Sequence, residues 1–111
     1  MTIKECYEAM GDNYDNVLKR FALKFLNEKS YQNIKEYYAK QDIDEVFRAA
    51  HTLKGVCLNL GFDSVFEPSS QITEILRAGS FEGCEKYMPE LDEKYNKLIG
   101  VLEEFQKSKN Q

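Results

Sequence analysis

Two stretches of the chain repeat apolar residues at alternating spacings of four and three, and no other feature constrains the fold as strongly. The stretches consist of Val46, Ala50, Leu53, Cys57 and Leu60, and of Leu91, Tyr95, Leu98, Leu102 and Phe105. This spacing places each set on one face of an α-helix, where it forms an apolar stripe directed at a core. No stretch shows the strict alternation that is typical of a half-buried β-strand. The pattern therefore predicts an all-α protein.

Capping residues and turns set the bounds of the predicted helices. A short first helix is expected at residues 2–10, followed by a long helix from about residue 13 to 40. The next helix covers residues 43–60, because Asp42 is a good N-cap and Gly61 is a good residue to follow a helix.

Three features complicate this division into helices. Residues 27–30 are a weak point in the long helix. Proline fits poorly in a helix interior, so a helix begins near Pro68 or an irregular first turn precedes it. For the same reason, Pro89 is expected to divide a short helical turn from the last long helix.

Long amphipathic helices joined by short loops predict an antiparallel up-down four-helix bundle. The short extra N-terminal helix is expected to lie across one end of this bundle. The chain of 111 residues is long enough for one core, so we expect a single domain over residues 1–111, with the bundle core at about residues 12–106.

The only histidine of the chain, His51, lies on the predicted helix 43–60. Lys54, Gly55 and Leu58 follow it at positions that share its helix face. His51 is about 100° around the helix from Ala50, so it sits beside the apolar stripe and outside it. One helix face thus carries the imidazole of His51, the cation of Lys54 and, at Gly55, a position without a side chain.

Taken singly, these residues have ordinary interpretations: a surface histidine, a solvated lysine, and a glycine that allows close helix packing. Together they favour a histidine that carries a phosphoryl group. The unprotonated imidazole is a nucleophile. Lys54 offers a cation to phosphoryl oxygens, and Gly55 leaves space for the group and for an approaching partner. Gly55 costs about 1 kcal/mol relative to alanine in a helix, and such local misfits are often functional.

The sequence His51-Thr52-Leu53-Lys54-Gly55 resembles the signature of histidine-containing phosphotransfer (HPt) domains. In that family the pattern His-x-Leu-Lys-Gly is followed by a glycine ten residues after the histidine, and Gly61 occupies that position as a structural turn. The resemblance also extends to the helix pattern of nearly the whole chain.

The resemblance implies a phosphorelay protein that shuttles a phosphoryl group between receiver-domain aspartates through a phosphohistidine at His51. Its expected partners are response-regulator receiver domains, among them that of a hybrid histidine kinase. No cofactor is expected on this chain, because the receivers would contribute magnesium and an acidic pocket. The chain also lacks a Gly-rich nucleotide loop and a second histidine, so we expect a carrier without ATP-dependent kinase activity.

Several further residues are candidates for docking and for orienting the imidazole. Leu58 and Phe47 lie one turn either side of the central motif, and apolar residues on a functional face suggest protein docking, although packing under a neighbouring helix is an alternative. In the family the receiver also contacts the first two helices, where the candidates are Ile3, Tyr7 and Leu18. A polar residue on the next helix holds the imidazole in some members. Thr73 occupies the comparable position, but it is shorter than the glutamine or glutamate often found there, and Gln71 is a nearby alternative.

Composition excludes other classes of function. A net charge of −4, with acidic and basic residues interspersed, offers no basic face for nucleic acid. Apolar runs are too short to span a membrane, and the N-terminus lacks a signal-peptide core. Three widely spaced cysteines argue against disulfides or a zinc site. A cytoplasmic monomer is therefore expected, and Met1 with a complete bundle pattern favours a free-standing relay protein over a domain of a hybrid kinase.

Two alternatives from other classes remain. The first is a helical-bundle adaptor that no longer uses His51 for phosphorylation, against which the intact Lys54 and Gly55 argue. The second is a metal-binding or hydrolytic bundle. A di-iron bundle would need paired Glu-x-x-His motifs, which a single histidine does not supply.

Overall fold

The computed structural model describes residue 20 and residues 22–109, with side chains through residue 104. Residues 22–26 are helical and precede the helices α1 (Ser30–Ala39), α2 (Ile43–Leu60), α3 (Asp63–Arg77) and α4 (Cys84–Lys109). No β-strand occurs among the described residues, so the all-α prediction is confirmed. The predicted helix at residues 2–10 lies outside the described residues.

Helix α2 has the bounds that its capping residues predict. The Asp42 side chain accepts a hydrogen bond from the backbone N–H of Glu45, which satisfies one free donor of the first turn. At the other end Gly61 adopts a left-handed conformation with φ 76°, and the N–H of Phe62 donates to the carbonyl oxygen of Cys57 at 2.9 Å. This arrangement closes the helix in the manner of a Schellman motif. The predicted helix 43–60 is therefore confirmed.

The apolar stripe of α2 is the centre of the core, and α2 packs against both α1 and α3. Phe25, from the helical segment at residues 22–26, meets Phe62 edge to face, with ring centroids 4.9 Å apart. Both rings are almost fully buried. The buried members of the α2 stripe are Val46, Ala50, Leu53, Cys57 and Leu60.

Helix α4 completes the core with its own seam and is tied to α1 by a polar contact. Tyr31 stacks on Tyr95 with ring centroids 3.8 Å apart, and its hydroxyl donates to Asp92 at 2.6 Å. Lys35 also contacts Asp92, at 2.9 Å. Burial, followed by the hydrogen bond to Asp92, raises the pKa of Tyr31, which keeps this hydroxyl protonated as a donor. The buried members of the seam are Leu91, Tyr95, Leu98 and Leu102.

The prediction of one continuous helix from residue 13 to 40 is wrong. Its described part leaves helical geometry at residues 27–29, and α1 begins anew at Ser30. The physical reason is local: Glu28 accepts hydrogen bonds from both the backbone N–H and the hydroxyl of Ser30, at 3.0 and 2.6 Å. The Glu28 carboxylate thus satisfies a free donor at the start of α1, as a capping side chain does.

The two predictions about proline are also wrong. Helix α3 begins at Asp63 and continues through Pro68, and α4 begins at Cys84 and continues through Pro89. A proline inside a helix removes one backbone hydrogen bond and costs about 3 kcal/mol. Burial of an apolar side chain contributes about 1.5–3 kcal/mol, and each helix buries several of them, so tertiary packing outweighs the local penalty.

Within the described part of the chain, none of the helices combines the length and the apolar composition that crossing a bilayer requires.

The left-handed conformation at Gly61 leads to a stability prediction. Alanine in this conformation is disfavoured by about 1–2 kcal/mol, so Gly61→Ala should lower the free energy of unfolding by about that amount. The matched control is Gly100→Ala in α4, where an added Cβ meets no atom within 4 Å. That change should instead stabilise the protein by up to about 1 kcal/mol. Urea unfolding followed by circular dichroism measures both, and equal stability of Gly61→Ala and wild type would contradict the role of the turn.

Candidate functional site

His51 projects from the middle of α2 into solvent. Its side chain is exposed, and it makes no hydrogen bond with any other described residue. The Phe47 ring lies one turn earlier, with its centroid 6.0 Å from that of the imidazole. Because α2 buries the adjacent stripe, the helix holds His51 at the edge of the core and presents it outward. A partner protein can therefore reach the imidazole without any rearrangement of the fold.

The space beside His51 is open at Gly55. A Cβ placed on Gly55 would meet no atom within 4 Å, apart from the neighbouring backbone of its own helix. No described side chain or helix therefore approaches Gly55 closely enough to require a glycine. This observation argues against the interpretation that Gly55 serves close helix packing, and it leaves access to His51 as the better explanation.

Lys54 extends from α2 towards α3, and its side chain is only 26% exposed. Its Nζ is 3.8 Å from Oε1 of Glu74, which is longer than a hydrogen bond but close enough for charge attraction. The sequence did not single out Glu74 as a neighbour of this face. Lys54 thus reaches the site as a cation that already has a carboxylate beside it.

The Glu74 carboxylate also contacts a second cation, Arg77, which lies on α3. Arg77 donates from Nε to Oε2 of Glu74 at 3.3 Å, and its guanidinium carbon lies 5.4 Å from the centroid of the Phe47 ring. Since Phe47 also contacts His51, a chain of contacts leads from the imidazole through Phe47 and Arg77 to Glu74 and Lys54. We call this group the His51 cluster, which consists of Phe47, His51, Lys54, Glu74 and Arg77.

The two apolar docking candidates on α2 differ in burial. Leu58 is 63% exposed, one turn beyond Lys54 on the same face, and is available for contact. Phe47 is partly buried and packs against the core, so its role is at least partly structural. It also lines a cavity of about 250 Å³ between α2 and α3, to which Arg77 and Leu76 contribute. The other docking candidates, Ile3, Tyr7 and Leu18, lie outside the described residues.

The residues predicted to orient the imidazole form no hydrogen bond with it in this structure. Thr73 is fully buried, and its hydroxyl donates its only proton to the carbonyl oxygen of Ser69 at 2.7 Å. Bonding of this kind to the preceding turn leaves Thr73 no proton to offer to an imidazole. Gln71 is exposed, and no hydrogen bond joins it to His51 among the described side chains. The structure therefore offers no support for the orienting role of either residue.

The thiol of Cys57, on the same helix as His51, is held in an unreactive form. Cys57 is fully buried on the α2 stripe, and desolvation, with a smaller contribution from Glu28, raises its pKa to about 12. Its thiol stays neutral and enclosed, so it does not compete with His51 as a nucleophile. Among the described residues, no group of three His, Cys, Asp or Glu side chains is placed to hold a metal ion.

Comparison with known proteins places this geometry in a family. A family model described as "Hpt domain" matches residues 22–100. In comparisons with curated proteins and with solved structures, no match is significant. The matched region spans more than half of the 111 residues and includes the whole of α2 with its exposed histidine. The chain therefore belongs to the Hpt domain family, whose members take part in histidine phosphotransfer within phosphorelays.

Proposed function

We propose that this protein carries a phosphoryl group on His51 between the aspartates of receiver domains in a phosphorelay. The observation that carries this proposal is the exposed imidazole of His51, with Lys54 one turn away and open space at Gly55 on the same helix face. Membership of the Hpt domain family supports the same reaction.

The transfer requires few groups from this chain. The lone pair on the unprotonated ring nitrogen of His51 forms a bond to phosphorus while the O–P bond of the aspartyl phosphate breaks. The electron pair of that bond stays on the released aspartate carboxylate, so no proton has to move. The return step is the reverse, in which a carboxylate of a second receiver attacks phosphorus and the pair of the N–P bond returns to the imidazole. Helix α2 positions the imidazole of His51, because a rigid helix holds the nucleophile for in-line attack.

Lys54 and Gly55 have separate roles in this reaction. The Lys54 ammonium lies within one helical turn of His51 and can balance the negative charge of the phosphoryl oxygens. The missing side chain at Gly55 admits both the phosphoryl group and the surface of the receiver. Leu58, which is exposed on the same face, and Phe47 at its edge provide apolar docking contacts.

The rest of the machinery belongs to the partner. We infer that the receiver provides the magnesium ion and the acidic pocket, and that this chain needs no cofactor and no nucleotide. The partners include receivers of response regulators and of a hybrid histidine kinase. We also propose that the protein acts in the cytoplasm as a monomer.

The architecture of the carrier is part of the proposal too. Short connections at residues 40–42, 61–62 and 78–83 favour an antiparallel up-down arrangement, since consecutive helices pack against each other. We infer that residues 1–111 form one domain whose bundle core covers about residues 12–106, with the short N-terminal helix across one end.

One functional prediction concerns the phosphoacceptor. Incubation with a phosphorylated receiver should label wild type in a form that is lost in acid and kept in alkali. His51→Gln should take up no label, because the only imidazole of the chain is gone. Thr52→Ala removes the exposed hydroxyl next to it and is the matched control, which should label normally. Label that persists in His51→Gln, or a wild type that takes none from a competent receiver, would contradict the proposal and favour an adaptor.

Another functional prediction separates access to His51 from helix stability at Gly55. Gly55→Gln should melt no lower than wild type, because its new Cβ meets no atom within 4 Å and glutamine favours a helix over glycine. The same variant should accept phosphoryl groups about tenfold more slowly or worse, since the side chain projects where the receiver must approach and small misplacements are costly.

The control for Gly55→Gln is Gly100→Gln in α4, which is equally open but lies on another helix. It should show the same thermal behaviour and normal transfer. Thermal unfolding and a transfer time course on the same samples measure both properties. Early unfolding of Gly55→Gln would reveal a packing role for the glycine, and normal transfer by a stable Gly55→Gln would show that the receiver docks elsewhere.

A further inference from the structure

Glu74 divides its two carboxylate oxygens between two cations of the His51 cluster. Oε1 lies 3.8 Å from Lys54, and Oε2 accepts a hydrogen bond from Arg77 at 3.3 Å. The Glu74 side chain is 54% exposed, whereas that of Lys54 is only 26% exposed. Lys54 lies one helical turn from His51, and the Glu74 carboxylate therefore already attracts the ammonium group that the phosphoryl oxygens would need.

We propose that Glu74 is a positioning residue that holds Lys54 in the unphosphorylated protein and releases it to the phosphoryl group when His51 is phosphorylated. This inference rests on the proposed phosphotransfer function and adds a residue to it. The carboxylate stands in for the phosphoryl group while that group is absent, so Lys54 has an anionic neighbour in both states.

The geometry suits an exchange of partners. The contact between Lys54 and Glu74 is too long for a hydrogen bond, so only a screened charge attraction has to be given up. A phosphoryl group brings more negative charge than a carboxylate and three strong acceptor oxygens. It therefore competes well for the ammonium once it is attached to the imidazole.

Arg77 makes the exchange less costly for Glu74. Its guanidinium is placed against the Phe47 ring and bonds to the other carboxylate oxygen. When Lys54 turns to the phosphoryl group, Glu74 keeps this second cation and is not left as an uncompensated charge. The divided carboxylate is what allows one cation to leave while the other stays.

The consequence is a limit on how firmly the phosphoryl group is held. Because Glu74 competes for Lys54 and adds negative charge beside the site, the phosphohistidine is less stable than it would be with a free lysine. A carrier must also give its group away, and a moderate hold favours transfer in both directions. Removal of the Glu74 charge should therefore lengthen the life of the phosphohistidine.

The experiment uses phosphoramidate as a small donor, so that it does not depend on any receiver. The ring nitrogen of His51 bonds to phosphorus while the P–N bond of the N-protonated donor breaks, and ammonia leaves with the electron pair of that bond. After the donor is removed, phosphorus NMR follows hydrolysis, in which water attacks phosphorus and the pair of the N–P bond returns to the imidazole. The samples are wild type, Glu74→Gln, Lys54→Gln, the double variant and Glu67→Gln.

Glu67→Gln is the matched control. Glu67 is on the same helix and exposed, about 10 Å from Glu74 along the axis, and it forms no ion pair with another described residue. Its substitution makes the same change in net charge and in side-chain shape. Circular dichroism on all samples shows whether the helices persist.

We expect Glu74→Gln to lengthen the phosphohistidine half-life about two- to fivefold, the range that exposed ion pairs produce, while Glu67→Gln leaves it unchanged. In the Lys54→Gln background the gain should largely disappear, because Glu74 acts through Lys54. An unchanged half-life in Glu74→Gln would overturn the proposal. An equal gain with and without Lys54 would overturn it as well, since Glu74 would then act by its own charge.

A second arm tests the relay separately. The phosphorylated proteins are mixed with an unphosphorylated receiver domain, and the share of label at equilibrium is measured. Glu74→Gln should retain two- to fivefold more label relative to the receiver than wild type does, and equal retention would overturn the inference. If no protein exchanges label with a competent receiver, the relay function fails, while the hydrolysis rates still decide whether Glu74 controls Lys54.

Discussion

The packing of the α2 stripe between α1 and α3 is the constraint on which the rest of the structure depends. Burial of Leu53 and Cys57 fixes the rotation of α2 about its axis, and His51 then has one direction in which to point. Because the stripe and the histidine belong to one rigid helix, the packing that stabilises the core also sets the position of His51. Asp42 and Gly61 fix the two ends of α2 and thereby its position along the bundle.

Electrostatics around the site comes from two helices and not from α2 alone. Lys54 on α2 faces Glu74 on α3, and Arg77 joins Glu74 to the Phe47 ring beside the imidazole. These contacts are partly exposed and individually weak, which suits the proposed exchange of an aspartyl phosphate for a phosphohistidine and back. A deeply buried ion pair would resist this exchange, because a separated buried charge is costly.

The sequence predicted α2 and its exposed face because both follow from local rules. Capping by Asp42 and Gly61 and the four-and-three spacing need no knowledge of tertiary structure. Glu74 was missed because its position opposite Lys54 depends on where α3 begins, and Pro68 made that start ambiguous. The sequence marked residues 27–30 as a weak point, but it did not predict the break at residues 27–29, since the break depends on hydrogen bonds from Ser30 to one carboxylate.

The central claim is that receivers dock on the face of α2 that carries His51, and mapping of that contact by NMR tests it most directly. An isotope-labelled sample is titrated with an unlabelled receiver domain while amide shifts are followed. The largest changes should fall between Phe47 and Leu58 on α2 and around Glu74 on α3. Changes confined to the contact of α1 with α4 near Tyr31, with α2 unaffected, would contradict the claim.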